Sequence, residues 1–149
     1  MTGREALLDD ARAAYGRNDW GAAGALLREV DVEQPLGADD LERLAWSCRW
    51  TGDEAGFLNE LERAEVAFGD AGARAAAARM ALEQARQHRQ MLDESVARTC
   101  FIRALGHLDG EPESPEHAQA QWALSYTQLE NGEVEAARAS LTEARAIVA

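Results

Sequence analysis

The chain has 149 residues, 15 of them basic and 27 acidic, and its formal net charge is −12. This acidic balance argues against general nucleic-acid binding, because phosphate contacts need a basic surface. No apolar stretch approaches the roughly 18 residues that a membrane span needs, and the first ten residues lack the apolar core of a secretory signal. We therefore expect a cytoplasmic protein without direct nucleic-acid or membrane partners.

Alanine dominates the composition and predicts helices along the whole chain. There are 31 alanines, every basic residue is arginine, and no segment alternates polar and apolar residues with a period of two. Alanine has the highest helix propensity, and the missing alternation argues against strands. The sequence therefore predicts an all-α fold over residues 1–149, a length typical of a single domain.

Helix start signals recur in chain order and divide the chain into helix pairs. Thr2 and Glu5 have the spacing of a capping box, and Ser114 followed by Pro115 is typical of a helix start after an acidic linker. A longer first helix is expected in the third pair, at about residues 73–90. Acids open the second helix of each pair at intervals of 34, 40 and 40 residues, at Asp19, Asp53, Asp93 and Glu133.

The repeated pattern resembles the tetratricopeptide repeat (TPR). Small and bulky residues follow each acid at the offsets of that family's second helix, for example Ala23 and Leu27 in the first repeat. The resemblance implies a right-handed superhelix, or solenoid, of about four TPR-like helix pairs. We place the repeats at about 4–37, 38–71, 72–110 and 114–149. The sequence departs from the family pattern at Phe57, usually alanine, and at Leu92, usually glycine.

A second resemblance rests on longer phrases of sequence. ARAAYGRNDWGAAGALL, DLERLAWSCRWTGD, LERAEVAFGDAG and GEPESPEHAQAQWAL are similar to the helical-repeat region of actinobacterial regulators. Those chains join such repeats to a LuxR-type DNA-binding domain or to a cyclase domain. The alanine-rich, all-arginine composition fits a GC-rich source. The resemblance implies an interaction or sensing module and does not transfer DNA binding to these residues.

Catalytic and metal-binding motifs are missing from the sequence. It contains no glycine-rich phosphate loop, no nucleophile elbow and no paired-cysteine metal spacing. Its three histidines are far apart in sequence, and we interpret Cys48 and Cys100 as free, buried thiols of a reducing compartment. We therefore predict a protein that is not an enzyme, with no catalytic residue, no metal and no cofactor.

The TPR resemblance implies a concave groove lined by the first helix of each repeat. The predicted groove residues are Arg12, Tyr15, Trp46, Arg49, Trp50, Arg86, Arg89, Trp122 and Tyr126. Arginine grips carboxylates with two parallel hydrogen bonds, while tryptophan and tyrosine supply contact area at binding hot spots. The sequence therefore predicts a protein or peptide partner with acidic and apolar groups, bound around Trp46, Trp50, Arg86 and their neighbours.

Three alternatives remain open from the sequence. The groove tryptophans could pack between repeats, and its arginines could pair with acids on neighbouring helices. The chain could instead be the sensory part of a regulator that binds a small effector. A third alternative is a helical scaffold that self-associates into an oligomer through its last helix, with Leu141, Ile147 and Val148 as the contact residues.

Overall fold

A computed structural model describes residues 2–149, which form eight α-helices and contain no β-strand. The helices are α1 (Gly3–Gly16), α2 (Trp20–Glu33), α3 (Ala38–Trp50), α4 (Glu54–Asp70), α5 (Arg74–Gln90), α6 (Glu94–Leu108), α7 (Pro115–Glu130) and α8 (Val134–Val148). Consecutive helices form the four expected pairs, and α5 has the predicted length. The chain forms two compact units, residues 1–68 and residues 69–149. That residues 1–149 act as a single domain stays a prediction.

The turn inside each helix pair has the same geometry four times. The backbone N–H of the residue before the second helix donates to a carbonyl five residues earlier, as from Asp93 to His88 at 2.9 Å. The residue that precedes this N–H donor has a left-handed backbone conformation in every turn, with φ of 62°, 80°, 61° and 78° at Asn18, Gly52, Leu92 and Gly132. In each pair this turn lies directly before the acid that opens the second helix, whereas the boundaries of the four repeats stay a prediction.

Local hydrogen bonds fix several helix starts as predicted. The Thr2 hydroxyl accepts from the backbone N–H of Glu5, and the Glu5 carboxylate accepts from the backbone N–H of Thr2, which completes the capping box. Asp19 caps α2 in the same way. Pro115 occupies the first turn of α7, but the Ser114 hydroxyl lies 2.9 Å from Nδ1 of His117 rather than capping the helix.

The core of the first unit includes side chains four, eight and eleven residues after the acid that opens each second helix, together with side chains of the first helices. Leu27, Leu44, Phe57 and Leu61 are among its fully buried side chains. Phe57 fills the position at which the repeat pattern usually has alanine, so this unit is packed by a larger side chain between α3 and α4.

A partly buried ion-pair network ties the end of α2 to α4. Both carboxylate oxygens of Asp31 accept hydrogen bonds from Arg63, at 2.8 and 2.9 Å, and one also accepts from the backbone N–H of Leu36. The Arg63 hydrogen bonds hold the pKa of Asp31 below its ordinary value, although burial opposes them. The loop between α2 and α3 is thereby fixed to α4.

The second unit has a core made largely of alanine. Ala78, Phe101, Leu108 and Ala120 form a buried cluster at which α5, α6 and α7 meet. Small side chains let helices approach closely there. Arg74 links the start of α5 to α6 and to the linker after it, since it donates to the backbone carbonyl of Gly106 and pairs with Glu111.

Candidate partner-binding site

A cleft of about 820 Å³ opens in the second unit between α5, α6 and α7. Its apolar lining consists of Leu82, Ala85, Ala97, Phe101, Ile102, Trp122 and Ala123. Its polar and charged lining consists of Glu83, Arg86, Arg89, Glu94, Ser95, Arg98, Thr99, Gln119, Thr127 and Glu130. We refer to these seventeen residues as the cleft.

The cleft lies beside the buried cluster at which α5, α6 and α7 meet. The buried cluster around Leu108 and Ala120 lies at the end of the unit that carries the linker of residues 109–114. The cleft is lined by residues 82–89 of α5, 94–102 of α6 and 119–130 of α7. Phe101 belongs to both the buried cluster and the cleft lining, and Leu82, Ala85 and Ala123 pack against that cluster while they also line the cleft.

Two large apolar side chains of the cleft stay in contact with solvent. Ile102 on α6 is 61% exposed and Trp122 on α7 is 59% exposed. Both lie on the cleft wall, where a partner could cover them. Burying such a pair contributes a few kcal/mol to association, which is the scale of a binding hot spot.

Two of the three cleft arginines already have partners within the protein. Arg86 is paired with Glu83 one turn earlier on α5. Arg89 reaches across to α7, where its guanidinium carbon lies 4.8 Å from the centroid of the Tyr126 ring and a nitrogen lies 3.5 Å from the Thr127 hydroxyl. A second nitrogen of Arg89 lies 3.6 Å from Glu94. Arg89 is thus a bridge between helices as well as part of the cleft wall.

Sequence reasoning missed the contribution of α6. Arg98 and Ile102 line the cleft from α6, whereas the repeat pattern assigns groove residues to the first helix of each pair. A compositional signal was available, because residues 74–108 contain six arginines and three acids in a chain of net charge −12. The predicted residues Arg86, Arg89 and Trp122 do line the cleft, and Tyr126 contacts it through Arg89.

The predicted aromatic residues of the first unit lie together in one cluster. Neighbouring ring centroids are 5.1 to 6.5 Å apart along the series Tyr15, Trp20, Trp50, Trp46 and Phe57. Arg49 lies over the Phe57 ring at 5.5 Å, and Trp50 remains 59% exposed. The series connects the C-terminal ends of α1 and α3 with the N-terminal ends of α2 and α4.

Arg12, the remaining predicted groove residue, is engaged in a charge network of the first unit. Its guanidinium donates two hydrogen bonds to Asp40, at 2.7 and 3.1 Å, and Arg43 donates a third at 2.9 Å. Burial by itself raises the pKa of Asp40, but the hydrogen bonds and charges of Arg12 and Arg43 outweigh burial and lower that pKa. Arg12 thus holds α1 against α3.

The predicted self-association residues divide between two faces of α8. Leu141 and Val148 are exposed together with Val134, so that three apolar residues recur at a spacing of seven on one outward stripe. Ile147 is half-buried, on the side of the helix that also carries the buried Ala144.

The two cysteines and the membrane prediction can be compared directly with the structure. Cys48 and Cys100 are free and buried, as predicted. Burial raises the pKa of the Cys48 thiol, which accepts a hydrogen bond from Arg28 at 3.1 Å. Among residues 2–149, none of the helices combines the length and hydrophobicity of a transmembrane segment.

The eight helices in four antiparallel pairs, with one recurring turn, define a TPR-like helical-repeat fold, so the predicted fold class is confirmed. The crystal structure of MamA, a TPR-containing protein, is similar to this chain with a TM-score of 0.73 and 13% sequence identity. The alignment covers 97% of this chain and 78% of MamA. No known protein-family profile and no curated protein sequence matches the chain. The resemblance to LuxR-type and cyclase-linked regulators stays a prediction.

Proposed function

We propose that this protein is a non-enzymatic protein–protein interaction module, and that the cleft of its second unit binds a peptide or helix of a partner protein. Helical repeats of this fold are typical interaction scaffolds. The observation that carries the proposal is the pair of exposed apolar side chains, Ile102 and Trp122, on the walls of one cleft. In this proposal the partner has apolar groups that cover both side chains and acidic groups that meet the cleft arginines.

The make-up of the cleft favours a partner segment over a small effector. Small-molecule pockets of 300–1,000 Å³ are lined mainly by apolar side chains with a few polar groups. Ten of the seventeen cleft residues are polar or charged, as expected for a protein interface with an apolar centre and a polar rim. A small effector therefore remains the alternative, with the cleft volume as its only support.

Ile102→Glu tests this function against a matched control, Val66→Glu. Val66 lies on α4 in the first unit and is 60% exposed, so it matches Ile102 in branching and exposure and lies outside the cleft. Wild-type and variant proteins, shown to be equally helical by circular dichroism, are used to capture proteins from a lysate of the source organism. We expect proteins that are captured by the wild type and by Val66→Glu, and lost with Ile102→Glu.

The captured protein is then purified and titrated against all three forms. A partner whose affinity falls at least tenfold with Ile102→Glu alone supports the proposal, since a buried charge weakens an apolar interface strongly. Equal capture by all three forms would overturn the cleft as the binding site.

The aromatic cluster of the first unit is a further proposed contact surface for a protein partner. Trp50 supplies an exposed ring, and the rings of Trp20 and Trp46 lie against it at centroid distances of 6.2 and 6.5 Å. Trp50→Ala leaves the cleft unchanged and therefore separates the contribution of this surface from that of the cleft in the same titration.

Self-association is a second candidate function, favoured by the outward stripe of α8. Val134, Leu141 and Val148 recur at the spacing with which two helices pack along a seam. A second copy of the chain that presents the same stripe could cover it. The corresponding measurement is the mass of the protein in solution as its concentration rises.

A further inference from the structure

The cleft carries one uncompensated charge on each of two opposite walls. Arg98 lies on the α6 wall and Glu130 on the α7 wall. Both side chains are exposed, and neither makes a hydrogen bond or ion pair with any other residue in the described range 2–149. Their neighbours differ in this respect, because Arg86 is paired with Glu83 and Arg89 with Glu94.

The other arginines of the third repeat are also used within the protein. Arg74 pairs with Glu111, Arg79 lies 3.7 Å from Glu116, and Arg103 donates to the side chain of Gln84 at 3.0 Å. Arg98 is thus the arginine of this repeat that makes no hydrogen bond or ion pair within residues 2–149. Its charge is therefore available to a partner protein. It lies one turn before Ile102 on α6, so that a charged and an apolar contact are adjacent on the same wall.

Glu130 occupies a position where an acid is unfavourable for the protein alone. It is the last residue of α7, and the negative end of a helix dipole disfavours a carboxylate there. No arginine of the described residues forms an ion pair with it. A basic group from outside the chain would do so.

The walls of the cleft fit a helix. All three walls are helices, and an amphipathic helix packs its apolar face into such a groove. The apolar residues Leu82, Phe101, Ile102 and Trp122 would then contact that face.

We propose that the cleft binds an amphipathic helix that carries an acidic residue opposite Arg98 and a basic residue opposite Glu130. The two contacts lie on different walls, so together they fix the direction and register of the bound helix. This inference rests on the proposed function of the cleft. It adds the secondary structure of the partner segment and the two residues that select its charges.

A displayed library of random 16-residue peptides tests the inference on the full chain. The library is selected in parallel against the wild type, Ile102→Glu, Arg98→Glu and Glu130→Arg. We expect the wild type to enrich sequences with apolar residues at helical spacing, one acidic position and one basic position. Arg98→Glu should change the preference at the acidic position to Lys or Arg, and Glu130→Arg should change the preference at the basic position to Asp or Glu.

Synthetic copies of an enriched peptide provide the quantitative readout. Reversal of Arg98 should weaken binding by on the order of tenfold, and a peptide with its acid changed to Lys should recover that loss on Arg98→Glu alone. Peptides that depend on Ile102 but respond to neither charge reversal would overturn the inference and leave the proposed function standing. Failure to enrich any peptide that depends on Ile102 would overturn both.

Discussion

Arg89 and Tyr126 join α5 to α7 beside the cleft, with the guanidinium carbon 4.8 Å from the ring centroid. The arginine side chain is about one third exposed, and the same guanidinium also lies near Thr127 and Glu94. Three contacts on two helices thus converge on one side chain. They hold the C-terminal part of α7, which has few other buried side chains.

Removal of this bridge should loosen α7. We expect Arg89→Ala to lower the free energy of unfolding by about 1–2 kcal/mol, because a partly shielded cation–π contact and an ion pair are lost together. Amide hydrogen exchange should quicken in the C-terminal part of α7 more than elsewhere. Arg145→Ala is the control, since that exposed arginine on α8 makes no hydrogen bond, ion pair or ring contact with the described residues, and its effect should stay within about 0.5 kcal/mol. Equal effects of both variants would contradict the bridge.

Leu92 offers a stabilising substitution. It has φ of 61°, in the left-handed region, and is 87% exposed, so it is strained and contributes little burial. The equivalent turns have glycine at positions 52 and 132. We expect Leu92→Gly to raise the free energy of unfolding by about 0.5–1 kcal/mol, since relief of the left-handed strain exceeds the extra entropy of the unfolded chain.

The reverse change at an equivalent turn is the matched control for Leu92. Gly132 has φ of 78°, and a methyl side chain at this position would meet no neighbouring group within 4 Å. Gly132→Ala therefore tests the backbone conformation alone. It should destabilise the protein by about 1 kcal/mol. Urea midpoints measure both variants, and a lower midpoint for Leu92→Gly would show that the leucine side chain makes a net stabilising contribution.

The pH dependence of stability should be set in part by Asp31. Its pKa is lowered in the folded state by hydrogen bonds from Arg63, so the folded protein binds this proton less tightly than the unfolded chain does. Its stabilising contribution is therefore complete above the ordinary carboxyl pKa of about 3.9. It is lost as pH falls through that value towards the folded-state pKa.

Asp31→Asn should make this contribution visible. We expect the variant to be less stable by about 2 kcal/mol near neutral pH, because hydrogen bonds to a charged group are lost, and the deficit should shrink towards about pH 3. Tryptophan fluorescence follows the unfolding of the first unit, which contains three of the four tryptophans. Asp10→Asn, on the exposed face of α1, should show no such change. A deficit that is constant with pH would argue against the lowered pKa.

Self-association through α8 predicts a mass that rises with protein concentration. Leu141→Glu places a charge at the centre of the stripe formed with Val134 and Val148 and should return the protein to the mass of one chain. Glu143→Ala changes another exposed position of the same helix and should leave the mass unchanged. Light scattering over a wide concentration range is the measurement, and a single-chain mass for the wild type throughout would exclude this candidate.

Local features of the fold could be predicted from the sequence because they depend on neighbouring residues. The capping box of Thr2 and Glu5, the acids before each second helix and the small residues within it act over a few positions. They predicted the helix pairs and their register, even where Leu92 replaces the usual glycine. The repeat pattern also placed Arg86, Arg89 and Trp122 on the side of α5 and α7 that lines the cleft.

The tertiary structure decided where a partner could bind, because this depends on how the helices pack against one another. Arg98 and Ile102 became part of the cleft because α6 packs between α5 and α7 and brings them to the same cleft as Arg86 and Trp122. The pairing of Arg12 with Asp40 and of Arg89 with Tyr126 depends on distances between helices. The spacing of residues along the chain does not determine the distances between helices. The sequence by itself therefore determined the helices and their repeat, and packing between them decided which charges remained available to a partner.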